Sequence, residues 1–92
     1  MILVSEQKNE VVNMDQCTSL KIVSERTHNH NYYVRIICRT TEDVDTKMLT
    51  SYGELEELQD RAKMILEAIY TKWADESVTI CKISDITNIL DL

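Results

Sequence analysis

The sequence predicts an α+β domain, an antiparallel sheet of five or six strands covered by one long amphipathic helix. Two observations carry this. Residues 51–73 read SYGELEELQDRAKMILEAIYTKW and place Leu55, Leu58, Ala62, Ile65, Leu66, Ile69 and Trp73 at three- and four-residue steps, one face of a helix. Nearly everything before that helix alternates apolar and polar residues between polar turns, the pattern of half-buried strands. A helix with one apolar stripe and a sheet with one apolar face each need a cover, and here each supplies the other's.

In chain order, residues 1–5 form a short apolar strand, 6–9 a polar turn and 10–15 a returning strand. Residues 16–19 are a second turn, and 20–26 a third strand with Leu20 and Ile22 on one face and Lys21 on the other. A polar loop, 27–31, holds His28 and His30. The strongest strand is 32–41: Tyr32, Val34, Ile36 and Cys38 share one face, Tyr33, Arg35, Ile37 and Arg39 the other. An acidic turn at 42–45 leads to a short fifth strand at 46–50. These connections are short, so consecutive strands are expected to pair antiparallel. Ser51 and Glu54 have the S-x-x-E spacing of a capping box, which starts the helix at 51 and carries it to about 76. Residues 78–83, VTICKI, are a sixth strand. Residues 84–92 are open to three readings: a short helix capped by Ser84, an extension of the strand, or a frayed end.

Ninety-two residues make a single domain, 1–92, which buries roughly two thirds of its unfolded surface. Apolar residues are 43% of the chain, enough for a packed core. Proline is absent and Gly53 is the sole glycine, so the turns fall to Asn, Asp and Ser. Cys17, Cys38 and Cys81 are odd in number and widely spaced, which argues against a disulfide framework and for a reducing, cytoplasmic setting. The apolar opening, residues 1–4, is far too short for a signal peptide, and no run approaches the roughly 20 residues of a membrane span.

Net charge is -6 and uneven: residues 1–50 hold seven acids and six bases, residues 51–92 nine and four. A nucleic-acid binder carries the opposite sign, because its affinity comes largely from neutralising phosphates, so direct nucleic-acid binding is not expected. The polar face of the helix carries Glu56, Glu57, Asp60 and Glu67, the first candidate site, a surface fitted to a basic protein. Its ordinary alternative is a solvated face with dipole-friendly acids near the helix start. Tyr33, Arg35 and Arg39 are the second candidate, an aromatic ring beside guanidinium groups on an open sheet, with the plain polar side of a half-solvated sheet as the alternative.

His28 and His30 could share a metal, but zinc needs a third or fourth ligand and spacing supplies none. Cys38 as a nucleophile would need a base and an electropositive setting, and mid-strand on an apolar face it reads as core. No G-x-S-x-G, P-loop, H-E-x-x-H or dinucleotide fingerprint occurs. The expectation is therefore a protein that is not an enzyme, with no catalytic residues, no metal and no cofactor.

The opening MILVS, the return VVNMDQ and the pattern Y-x-x-L-x-x-L-x-x-A-x-x-I-L-x-x-I resemble small uncharacterised proteins of Gram-positive bacteria and their phages, over residues 1–16 and 52–69. That resemblance implies a small meander closed by one helix, and no catalytic residues to carry over. The chain departs from it in the longer acidic helix and the ending VTICKISDITNILDL. By association, the resemblance implies a phage or mobile-element inhibitor that binds and blocks a bacterial defence protein, such as an anti-CRISPR-type inhibitor. The alternative is a small-ligand or nucleotide-binding module, its pocket between sheet and helix or at a subunit interface; a third reading is a structural subunit. Unpaired sheet edges and the apolar tail Ile86, Ile89, Leu90 and Leu92 point to a homodimer.

Overall fold

The computed structural model describes residues 1–27 and 31–90. His28 and His30, the candidate metal pair, and Leu92 of the tail lie outside the described residues. The chain is α+β, with its strands divided between two three-stranded sheets. The first has order β2-β1-β6, from β1 (Ile2–Val4), β2 (Val11–Asn13) and β6 (Ile80–Lys82). The second is an antiparallel meander of β3 (Cys17–Arg26), β4 (Tyr32–Thr40) and β5 (Asp45–Gly53). Helix α1 (Leu55–Ala74) packs mainly on β4, and α2 (Ile83–Ile89) packs on α1. Leu3, Val12 and Cys81 of the first sheet share one core with Leu20, Val34, Ile36 and Cys38 of the second.

A single antiparallel sheet was expected, and the division into two has a local cause. After β2 the chain turns through a 3-10 helix, Met14–Gln16, where the Asn13 side chain accepts from the Asp15 N–H at 3.0 Å and Met14 is buried. That turn carries β3 away from β2, so these consecutive strands do not pair. The free side of β1 is taken instead by β6, in parallel, which is possible only because α1 and the meander supply a long crossover. β3 begins at Cys17, where a turn was expected, with a register shift between Cys17 and Ser19.

The helix start also differs from the S-x-x-E expectation. β5 continues to Gly53, with Ser51 opposite Val34 and Gly53 opposite Tyr32, so Ser51 is a strand residue and caps nothing. Pairing along the strand outweighs the local capping motif. Gly53 (φ 152) takes the backbone turn that separates strand from helix, a conformation side-chain-bearing residues rarely adopt. Glu54 stands at the N-cap without a side-chain cap bond. The helix stops at Asp75, whose Oδ1 accepts from the N–H (2.9 Å) and hydroxyl (2.7 Å) of Ser77; these bonds hold its carboxyl below the usual range.

The predicted stripe is otherwise observed: Leu58, Ala62, Ile65 and Ile69 are buried, against Val34, Ile36 and Cys38 of β4 within one cluster. Trp73 was expected to face the sheet. It is half-buried at the core's rim and stacks on Tyr70, ring centroids 6.3 Å apart. β5 is nine residues, longer than expected, and accommodates a bulge beside Ile36 and Ile37 that turns both Met48 and Leu49 inward. The tail is a helix with Lys82, not Ser84, at its N-cap; Ile86 is buried, Leu90 half-buried and Ile89 exposed. Turn chemistry departs at one point. Asp43 takes a left-handed backbone (φ 58) as expected of Asp, but so does Lys8 (φ 62). Buried Ser5 explains it: its carbonyl accepts the Lys8 N–H (2.9 Å), and its hydroxyl accepts the Glu10 N–H (3.1 Å) and donates to Asn9 (3.0 Å).

Candidate functional site

Helix α1 positions the first candidate surface. Its buried residues fall on one line, and Glu56, Asp60 and Glu67, at steps of four and seven, fall on the opposite pole, with Glu57 beside them. All four carboxylate residues are exposed. Among the described residues none of the four takes part in an ion pair. Lys63 shares this pole, so the surface is acidic without being uniformly so. Met64 lies in its middle and is 47% exposed, although it is a flexible apolar side chain on the solvent side of a helix. Sequence reasoning passed over Met64; the signal was an apolar residue out of phase with the stripe. Unpaired carboxylates around a methionine give a surface with steering charge and an adaptable apolar contact, the combination protein recognition uses.

The second candidate lies on the opposite side of the meander from α1. Register places the outward residues in rows: Glu25, Tyr33 and Tyr52; Val23, Arg35 and Thr50; Lys21, Ile37 and Lys47; Ser19, Arg39 and Asp45. The structure therefore brings Tyr33, Arg35 and Arg39 together, and adds Tyr52, Lys21 and Lys47, which sequence reasoning missed because they lie on neighbouring strands. Much of this face is already paired within itself. The Tyr33 hydroxyl donates to the Glu25 carboxylate, which raises the Tyr33 phenol above its ordinary value. The Arg35 guanidinium lies over the Tyr33 ring at 4.2 Å, and Tyr33 meets Tyr52 edge-on at 6.1 Å. Arg39 bridges Asp43 (3.3 Å) and Asp45 (3.6 Å). Arg35 and Arg39 thus have intramolecular partners, whereas among the described residues no ion pair reaches the four helix carboxylates.

Cys38 is fully buried against the helix side of β4, and burial pushes its thiol up to about 12, which argues against Cys38 as a nucleophile toward any external substrate. Among the described residues no three His, Cys, Asp or Glu side chains cluster as metal ligands, and no helix is long and apolar enough to cross a membrane. The interface between meander and α1, where a ligand pocket was considered, is filled by Val34, Ile36, Ile65 and Ile69, each no more than 1% exposed. Among the described residues three recesses lie elsewhere: about 190 Å³ between the Ser5–Glu10 turn and the β5 bulge, about 280 Å³ between α1 and α2 beside Ala68, Ile86 and Ile89, and about 320 Å³ beside Tyr70, Trp73 and Ala74. The first two fall below the roughly 300–1,000 Å³ of ordinary small-molecule sites, and the third is a shallow, open surface depression lined by three residues only.

The chain matches no protein-family model, no curated protein and no solved structure.

Proposed function

We propose that this chain is a non-enzymatic binding protein that docks the acidic face of α1 onto a basic surface of a protein partner and acts by steric or charge blockade. The observation that carries this reading is the solvent pole of α1, where Glu56, Glu57, Asp60 and Glu67 are exposed and, among the described residues, form no ion pair, with exposed Met64 beside them. Charges held in close ion pairs contribute less to steering, and among the described residues none of these four is so held, with Lys63 the one cation sharing their pole. A partner that normally holds nucleic acid has the matching basic surface. The phage-type resemblance narrows that partner to a bacterial defence protein, in the manner of an anti-CRISPR-type inhibitor.

A second reading places the contact on Tyr33, Arg35 and Arg39, favoured by Tyr52, 68% exposed beside them. The alternative of a small-ligand or nucleotide module is less well supported, because the space between sheet and helix is filled. One experiment separates the two surfaces. The wild-type chain, an Asp60→Lys/Glu67→Lys variant and an Arg35→Ala/Arg39→Ala variant are used as baits in a bacterial lysate. The helix reading expects a basic protein captured by wild type and by the sheet variant and lost by the helix variant. Loss in the sheet variant alone would transfer the function to the sheet.

A further inference from the structure

Cys17 opens β3 and Cys38 lies in β4, twenty-one residues later in the chain. In register Cys17 is opposite Thr40 and Cys38 opposite Leu20, so the two are not direct cross-strand partners. The register shift between Cys17 and Ser19 brings the first strand residue back across the ladder. The result is an Sγ–Sγ separation of 3.0 Å, with the Cys38 thiol directed at the Cys17 sulfur. Cys17 is half-buried and its own thiol donates to the Ser19 carbonyl at 3.3 Å, whereas Cys38 is fully enclosed. Core packing of single thiols accounts for Cys81, which lies in the other sheet on β6, but not for two sulfurs placed in contact.

We propose that Cys17 and Cys38 are a peroxide-oxidisable dithiol, with Cys17 the sulfur that meets the oxidant and Cys38 the one that resolves it. The co-reactant is a hydroperoxide. The Cys17 thiolate attacks one peroxide oxygen; the S–O bond forms, the O–O bond breaks, and the departing oxygen takes a proton and leaves as water or an alcohol. The Cys38 sulfur then attacks the Cys17 sulfenic acid. The S–S bond forms, the S–O bond breaks, and the hydroxyl leaves as water with the Cys38 proton. Each sulfur gives up one electron and the peroxide gains two. Closing from 3.0 Å to a bonded distance requires a movement of only about 1 Å.

Enclosure slows any external reagent at Cys38, while contact with Cys17 supplies the proximity that an intramolecular step needs. The disulfide would tie the start of β3 to the last residues of β4, and so hold the sheet that carries Tyr33 and Arg35.

The test uses the full chain, reduced, then treated with hydrogen peroxide, alkylated under denaturing conditions and analysed by intact and peptide mass. The expected product has lost two hydrogens, binds one alkyl group, at Cys81, and yields a peptide pair joined through Cys17 and Cys38 that dithiothreitol separates. Cys81→Ser should leave this unchanged. Cys17→Ser, at the half-buried position where folding is least at risk, should abolish it. Cys38→Ser should leave a sulfenic acid at Cys17 that dimedone traps. Three alkylatable cysteines after peroxide, a linkage through Cys81, or a dimedone adduct on Cys38 would each overturn the proposal.

Discussion

Ile65→Ala tests the packing of α1 on the meander. Ile65 is fully buried in the shared core, so the substitution deletes three carbons from a site with no access to water. At about 0.8 kcal/mol per buried methylene, the transfer loss is roughly 2.5 kcal/mol. If the surrounding side chains stay in place, the deleted groups leave a cavity on the order of 80 Å³, which at about 24 cal/mol per Å³ adds roughly 2 kcal/mol. The expected cost is therefore about 4.5 kcal/mol, falling toward roughly 2.5 if the site collapses. A chain of 92 residues has a total stability of about 5–14 kcal/mol, so the effect is a large share of it. Urea unfolding followed by far-UV circular dichroism reads it directly, as a drop in midpoint at unchanged slope. Met64→Ala, one residue away but on the solvent pole, is the control and should move stability by under about 0.5 kcal/mol. A loss below about 1 kcal/mol for Ile65→Ala, or equal losses at the two positions, would refute the assignment of buried and exposed faces.

Ser51→Ala should change stability by less than about 0.5 kcal/mol, because Ser51 is a strand residue and not the helix cap; a loss of about 1 kcal/mol or more in the same unfolding assay would restore the capping box. Burial lifts the Cys38 thiol from its ordinary 9.0 to about 12. Its neutral form is therefore favoured in the folded state, so its contribution is complete below pH 9.0 and is lost as pH rises toward 12. Unfolding midpoints should fall across that window more steeply in wild type than in Cys38→Val, and parallel profiles would remove the cause. For the homodimer expected from the sequence, the exposed apolar side chains on the tail and sixth strand are Ile89, 77% exposed beside the α1–α2 recess, and Ile80, 57% exposed on β6. Light scattering should give a dimer mass at high micromolar concentration and a monomer for Ile89→Lys; a monomeric wild type contradicts it. Truncating the chain before Ile86 is not a clean test, since Ile86 is buried in the core.

Much of the architecture was legible because two elements carry strong period signals. The spacing of Leu58, Ala62, Ile65 and Ile69 can serve only a helix, and the alternation through Val34, Ile36 and Cys38 only a strand, and each buries the set the spacing indicated. Trp73 departs, half-buried at the core's rim and stacked on Tyr70, and Leu55 and Leu66 of the same stripe are likewise only partly buried. What could not be read depends on tertiary choices. Ser51 and Glu54 form a sound local cap, but cross-strand pairing with β4 claims Ser51 first. The parallel pairing of β6 with β1 joins opposite ends of the chain and leaves no local signature. The exposed acids of α1 followed from periodicity alone, whereas the ring of partners around Tyr33 and Arg35, and the Cys17–Cys38 contact, required the register of three strands.

In the proposed function α1 meets its partner through exposed carboxylates that form no ion pair among the described residues. The most direct measurement is the association rate of the captured partner with wild type and with Asp60→Lys/Glu67→Lys, at low and at high ionic strength. Exposed substitutions usually shift stability by under about 0.5 kcal/mol, so the variant should remain folded. Association of the variant should be slower by roughly tenfold or more at low salt, with the gap narrowing as salt screens the field. Equal rates for the two proteins at both ionic strengths, with Arg35→Ala/Arg39→Ala losing binding, would contradict it.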